Sequence, residues 1–234
     1  MSYEKLRLIV LNGPPRSGKD SLADAILSRY IGRKFALAEP LKRAVHAFFD
    51  EDLDIYKFEP VKEKPIFEGV SPRNAYIEMF TGFAEPTFGP SILGKLLAKK
   101  TKAYFCGQSG KLNVKDNTVV VIGDCGRPAE LIPLLCTFPI ERVMLVQMHR
   151  ENFTYEKDIR QYINLPDILH ALAEQAFKTT EELNLLRSVA DLKIAKITNE
   201  SLAVDTKDPK HKKVLMPHFL KMVDARITPF ILGR

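Results

Sequence analysis

A chain of 234 residues, 45% of them hydrophobic, is long enough to bury one α/β core with an inserted subdomain and too apolar for intrinsic disorder. Its formal charge of +6 suits polyanionic ligands, nucleotides and nucleic acid alike. Cys106, Cys125 and Cys136 show no C-x-x-C spacing, which argues against a disulfide framework or a zinc site; no apolar run reaches the length of a signal-peptide core or a membrane span, so a soluble cytoplasmic protein is expected.

The apolar run at 6–11 predicts a first strand. It leads into Gly13-Pro14-Pro15-Arg16-Ser17-Gly18-Lys19-Asp20, which follows G-x-x-x-x-G-K-[ST] at all but its last position, ahead of a helix-like segment at 17–30. This is the strand–loop–helix context of a phosphate-binding P-loop. Gly13 allows the turn out of the strand, Gly18 lets backbone N–H groups close on phosphate oxygens, and Lys19 places a charge on the β/γ-phosphates. The helix start adds its positive end. Asp20 stands where a magnesium-binding hydroxyl is expected. It either holds Mg²⁺, directly or through water, or is an acid stabilised by the helix dipole, with Ser21 as the alternative hydroxyl.

A short second strand at 34–38 and a helix at 41–49, its start marked by Pro40, come next. The stretch 50–69, acidic and basic by turns, with Pro60 and Pro65, reads as a mobile loop whose charges serve solvation. Ser71 as N-cap and Pro72 at the first helical position begin a helix to about Phe80, and another is expected over 91–102. Val119-Val120-Val121-Ile122 has the continuous β-favouring character of a strand buried on both faces of a parallel sheet, and 142–148 is a second such run. Between them 127–138 fits a crossover helix interrupted by Pro133. Residues 151–188 read as helical in part, 192–197 as a last strand and 214–226 as a terminal helix. The alternation predicts an α/β fold, a central parallel sheet covered by helices on both faces, with ligands at the carboxyl ends of its strands.

The segments Arg16-Ser17-Gly18-Lys19-Asp20-Ser21-Leu22-Ala23-Asp24, Leu37-Ala38-Glu39-Pro40-Leu41-Lys42, Ser71-Pro72-Arg73 and Asp124-Cys125-Gly126-Arg127 together resemble the deoxynucleoside monophosphate kinases of tailed bacteriophages, within the P-loop nucleoside monophosphate kinase group. The resemblance is strongest over 6–42, moderate through 127 and thin past 150. Members of that family also carry Asp after the P-loop lysine. The resemblance implies a single P-loop NTPase domain with an acceptor-binding helical insertion over about 50–115 and a lid over about 150–190. It implies transfer of a phosphoryl group from ATP, with Mg²⁺, to a nucleoside or deoxynucleoside monophosphate on the route to DNA precursors, in the host cytoplasm if phage-encoded. Homodimers are common among the resembling enzymes.

On this resemblance, residues 13–20 with Ser21 hold the donor phosphates, and Asn199 lies beside the donor base, where backbone contacts matter more than side chains. Arg73 and Arg127 grip the acceptor phosphate, with Lys42 lining that site. Lys19, Arg127, Asp124 and the lid arginine Arg150 serve the transfer itself, and Asp20 and Asp124 hold Mg²⁺ or order its water. Physically, such a transfer needs positioning and cations rather than covalent chemistry.

Each of these residues also has a plainer reading. Arg73 could be a solvated helix residue, Asp124 a strand-end cap, Lys42 a surface lysine, and Arg150 and the other lid candidate, Arg160, solvated charges. Asn74, Tyr76, Phe80 and Phe83 are available to a base, although their helical spacing makes them core candidates first. The five histidines lack metal-ligand spacing. Two other function classes stay open. One is a nucleotide-binding regulatory protein without transfer, favoured by the loose fit of 81–86 to the family's Gly-Thr-acid pattern. The other is a nucleic-acid binder, resting on the basic run 207–213, which lacks interleaved aromatics and is disfavoured for that reason.

Overall fold

The computed structural model describes residues 6–51, 54–106, 118–156, 160–174, 179–200 and 209–233. Five strands, β1 (Leu6–Asn12), β2 (Gly32–Phe35), β3 (Thr118–Ile122), β4 (Val143–His149) and β5 (Lys193–Thr198), form one sheet in the order β2-β3-β1-β4-β5. Every pairing is parallel, with Val10 opposite both Ile122 and Leu145 at the centre. The sheet is therefore the predicted one, with β1 in the middle and the P-loop at its carboxyl end.

Ten helices accompany it among the described residues: α1 (Lys19–Arg29), α2 (Glu39–Phe48), α3 (Pro72–Glu78), α4 (Glu85–Phe88), α5 (Ile92–Cys106), α6 (Pro128–Thr137), α7 (Leu165–Glu174), α8 (Thr180–Ser188), α9 (Pro209–Met222) and α10 (Thr228–Leu232). The period-2 alternation of side chains divides the sheet's apolar residues between two cores. Leu6, Leu8, Val10, Val120, Ile122, Val143 and Leu145 face one way, into a core closed by Leu93 and Leu97 of α5, Leu131 and Leu135 of α6, Ile168 and Leu172 of α7 and Leu185 of α8. Ile9, Leu11, Val119, Val121, Met144, Val146 and Met148 face the other, against Leu22 and Ile26 of α1, Phe219 of α9 and Ile231 of α10. Burial on both faces explains why β1, β3 and β4 read as unbroken apolar runs. No described helix is long and apolar enough to cross a membrane.

Element existence follows the sequence closely, and edges differ. The second strand lies at Gly32–Phe35 rather than 34–38, and α2 starts at Glu39, so that Pro40 sits inside its first turn, where a missing N–H costs nothing. The helix started by Ser71, whose hydroxyl accepts the Asn74 N–H at 3.3 Å, gives way to a π-turn at Met79–Ala84 before α4.

The reading of 50–69 as a loop of solvated charge is corrected. A 3₁₀ turn occupies Ile55–Val61, and Phe58 and the buried Phe67 pack edge-on against His46 at centroid distances of 4.3 and 5.3 Å. His46 is itself fully buried, its Nε2 2.6 Å from the Tyr76 hydroxyl. Burial of two aromatic rings outweighs the polarity that made this stretch look like a loop.

The stretch 150–190 also divides. Residues 150–156 and 160–162 lie at the carboxyl ends of the strands. Beyond them Ile163, Ile168, Leu172, Leu185 and Val189 are core residues, and α8 opens on a capping box between Thr179 and Glu182. Lys207 and Asp208 of the basic run lie outside the described residues, and its remainder, from Pro209, opens α9.

At Gly94 of α5 a side chain would run into the carbonyl of Glu130 in α6, so the two helices touch backbone to backbone. Gly94→Ala is expected to destabilise the protein by about 1–3 kcal/mol through overpacking, against a helix-propensity gain of about 1 kcal/mol. Urea denaturation measures the balance.

Candidate functional site

The loop after β1 is shaped by contacts on every side. Gly13 has no room for a β-carbon, which would lie 2.6 Å from the Met148 carbonyl of β4. Arg16 and Gly18 both take positive φ, 64° and 99°, and a β-carbon at Gly18 would fall 2.6 Å from Nδ2 of Asn199. That amide donates to the Ser17 carbonyl at 3.0 Å, while the Asn199 backbone N–H donates to the His149 carbonyl at 2.7 Å. Asn199 thus holds the loop with its side chain, a role the sequence reading did not give it. Arg150 donates from Nη1 to the Arg16 carbonyl at 2.8 Å and lies over the Phe153 ring. Pro14 accepts the Ser17 N–H at 3.2 Å, and Pro15 and Arg16 are exposed at the tip.

Inside this frame Lys19 donates to the carbonyls of Gly13 and Pro14 at 2.6 and 2.7 Å, folding its ammonium back across the loop. Ser17 is fully buried, and its Oγ has no hydrogen-bond partner among the described residues. A buried hydroxyl left unpaired costs about 1–3 kcal/mol; an oxyanion seated in the loop would satisfy it. The donor set of backbone N–H groups, a hydroxyl and an ammonium at a helix start fits a phosphate.

Two carboxylates border the loop. Asp20, in the first turn of α1, is largely exposed and pairs with Lys34 of β2, a residue the sequence reading passed over. Ser21 beside it is buried. Asp124, just past β3, accepts the N–H groups of Leu37 and Ala38 at 2.7 and 3.3 Å, so it ties the loop after β2 to the sheet. Burial pushes its carboxyl up, opposed by those two N–H groups and by the charges of Lys42 and Arg160. Among the described residues no three acidic, histidine or cysteine side chains cluster as a metal-binding group.

Arg127 is the N-cap residue of α6, where Pro128 fixes the helix start. Its guanidinium lies 4.9 Å over the Phe80 ring, Nη2 is paired with Glu85 of α4, and Nη1 is buried without a partner among the described residues. Glu130, one turn in, accepts the N–H groups of Gly126 and Arg127, both at 3.3 Å. From the other side the stem of Arg160 lies so close on Gly126 that a β-carbon there would clash, and Gln161 donates its N–H to the Gly126 carbonyl at 2.9 Å. Asn12, ending β1, donates to the carbonyls of Cys125 and Gln161 and accepts the Ile163 N–H at 3.0, 2.8 and 3.0 Å.

The remaining candidates lie on α2, for Lys42, and on α3 and the turn after it, for Arg73, Phe80 and Phe83. Arg73 pairs with Glu63 at 3.1 Å, and Lys42 pairs with Glu59 at 2.6 Å while lying over the Tyr76 ring. Burial raises the Glu59 carboxyl, but Lys42 and Lys62 outweigh it and leave it below its ordinary value. Arg73 and Arg127 thus have different carboxylate partners. Phe80 is a core residue, as its spacing suggested, whereas Phe83 is half exposed and meets Phe88 edge-on at 5.8 Å. Sequence reasoning missed Asn12, Lys34 and Glu130 as parts of the site. A polar residue closing an apolar strand and an acid in the third helical position were the available signals.

The family model described as deoxynucleotide monophosphate kinase matches residues 7–77, which hold the P-loop, Lys42 and Arg73 and stop short of Asp124 and Arg127. No curated protein matches the sequence. Similar solved structures include a sugar kinase from Janibacter sp. (13% identity, 94% of this chain and 96% of that one, TM-score 0.37). A gluconokinase from Sinorhizobium meliloti (11%, 94% and 97%, 0.33) and a shikimate kinase from Acinetobacter baumannii (10%, 96% and 97%, 0.32) are others. The P-loop fold assignment rests on strand order and loop geometry rather than on these scores.

Asn199→Ala removes the donor to the Ser17 carbonyl. It is expected to cost about 1–3 kcal/mol of stability and to weaken ATP binding by roughly tenfold, read by urea denaturation and by nucleotide titration.

Proposed function

We propose that this chain is a kinase that transfers the γ-phosphoryl group of ATP to a deoxynucleoside monophosphate. The observation that carries the reading is a pair of buried donors, unpaired among the described residues, on the loops after two adjacent strands. Ser17 Oγ lies in the loop after β1, and Arg127 Nη1 on the loop after β3. In open parallel sheets this edge is where ligands bind, and two phosphate groups brought together there need cations from both sides.

In this reading Lys19 leaves the carbonyls of Gly13 and Pro14 for the donor phosphates, and residues 13–20 surround them with N–H groups. Arg127 exchanges Glu85 for the acceptor phosphate, which a guanidinium binds bidentately. Phe80 keeps the guanidinium flat and partly dry, which strengthens its hold on an anion. Arg73 of α3 and Lys42 of α2, each now on a carboxylate, approach the same acceptor. Residues 150–156 and 160–162, carrying Arg150 and Arg160, serve as the lid in this reading. Arg160, lying on Gly126, is nearer the acceptor loop, while Arg150 braces the P-loop.

The donor set fits magnesium in part. Asp20 offers an exposed hard oxygen beside the P-loop, and Asp124, with its oxygens on backbone N–H groups, would act through an ordered water. The ion would supply charge neutralisation between donor phosphates. Lys34 would have to yield Asp20 to it.

Purified protein incubated with ATP, Mg²⁺ and each common nucleoside or deoxynucleoside monophosphate should form a diphosphate with at least one of them. Nucleotide binding without turnover would point to the regulatory reading instead. Lys19→Met should abolish transfer with the fold intact, a loss of at least about 3 kcal/mol in transition-state stabilisation, and turnover within about tenfold of wild type would sink the loop assignment. Arg127→Ala should lower kcat/KM for the monophosphate on the order of 10²-fold and leave ATP affinity nearly unchanged, which steady-state kinetics with each nucleotide varied in turn will resolve.

A further inference from the structure

We infer that Glu130 is a positioning residue for phosphoryl transfer: its carboxylate holds the backbone of Gly126 and Arg127, and through them the acceptor arginine and the Arg160–Gln161 end of the lid, so that a proton bound to Glu130 turns acceptor use down. The inference rests on the kinase reading above and deepens it.

The geometry runs through one short loop. Glu130 is buried, and one oxygen, Oε2, accepts both the Gly126 and Arg127 N–H groups. The opposite side of Gly126 carries the lid, since its carbonyl accepts from Gln161, and Gln161 in turn accepts from Asn12. Neither helix behind Glu130 can give way. Its own carbonyl rests on Gly94 of α5 without space for a methyl group, so a weakened carboxylate–loop contact moves the loop rather than the helix. A neutral carboxyl accepts N–H groups far less strongly than a carboxylate, and the Arg127 guanidinium is aimed by the backbone that Glu130 holds.

The groups around Glu130 place its proton in a useful range. Burial raises its carboxyl most, the Gly126 N–H pulls it down, Asp124 pushes it up, and the charge and N–H of Arg127 pull it down, which together leave it raised from 4.5 to about 7. From β3's end the neighbours are Asp124 and the Cys125 thiol, itself pushed well above its ordinary value by burial and held neutral. From α5 the contact is the Gly94 backbone, and from the lid it is Arg160, lying across Gly126. Because the folded protein favours the protonated form, Glu130's contribution to stability is complete below about pH 4.5 and is lost as pH rises through about 7. Its hold on the loop is gained over the same window. Stability and acceptor use therefore respond to pH in opposite directions, which a purely structural glutamate would not produce.

The test compares wild type and Glu130→Gln from about pH 5.5 to 8.5, following kcat/KM for the monophosphate at saturating ATP together with the ¹⁵N–¹H shifts of Gly126, Arg127 and Gln161. Wild-type kcat/KM should rise on the order of tenfold through an apparent pKa near 7, and the variant should stay near the low plateau with the KM for ATP changed less than about twofold. The monophosphate's own second ionisation, near about 6, enters both profiles alike and cancels in their ratio. The Gly126 and Arg127 amides should titrate in the wild type and not in the variant. A variant with the wild-type pH profile, or wild-type amides that do not titrate, overturns the inference. Absence of transfer with every monophosphate overturns the kinase reading and with it the role in transfer, while the amide titration still decides whether Glu130 holds the loop.

Discussion

Asn12 is the constraint on which the site depends. It closes the central strand, is fully buried, and its amide reaches the Cys125 carbonyl, the Gln161 carbonyl and the Tyr155 hydroxyl, while its oxygen takes the Ile163 N–H. A buried amide is tolerated only when its donors and acceptor are used, and here the four partners come from three different parts of the chain. The loop after β3, the residues at Tyr155 and Gln161 and the start of the segment leading to α7 are therefore fixed relative to the residue that immediately precedes Gly13. Replacing it by an apolar residue of similar size would leave two carbonyls and one N–H out of water with nothing to meet.

Around that anchor the sheet supplies rigidity and the loops supply charge. Gln147, two positions from the end of β4, donates to the Ile163 carbonyl at 2.7 Å, and Tyr162 donates to the Met148 carbonyl while stacking on His149 at 4.2 Å. Burial, with Lys196 nearby, lowers the His149 pKa, so this stack stays neutral above the ordinary imidazole range. Tyr162 and Ile163 are thereby pinned to β4.

Much of the fold was legible because it rests on local pattern. Val119 to Ile122 and the residues of β1 and β4 announce double-sided burial by lacking polar alternation, and Ser71-Pro72 and Pro128 mark helix starts through chain stereochemistry. The P-loop was legible for the same reason: its glycines answer to the φ of Gly18 and the closeness of Met148 to Gly13. What stayed hidden depends on partners far apart in sequence. Lys34 against Asp20, Glu85 against Arg127, and Asn199 against Ser17 are contacts that no spacing rule reaches. Phe58 and Phe67 were concealed in another way, by charged neighbours such as Glu59, Lys62 and Glu63 that form ion pairs at the surface. Arg160 looked like the weaker lid candidate because its surroundings are polar, yet it lies on a glycine whose missing side chain makes the space for it.

The two unpaired donors, Ser17 Oγ and Arg127 Nη1, set stability and recognition against each other. Both are held out of water and find no hydrogen-bond partner among the described residues, so each lacks the bonds it would have in solvent. Substitutions that relieve this, such as an alanine at Ser17, would leave the free protein firmer and less responsive to anions, a trade-off common where a site is built to be completed by its ligand. Selection for heat resistance alone would therefore erode this site first, and a variant of this chain with raised thermal stability should be checked at these two positions before its melting temperature is read as an improvement.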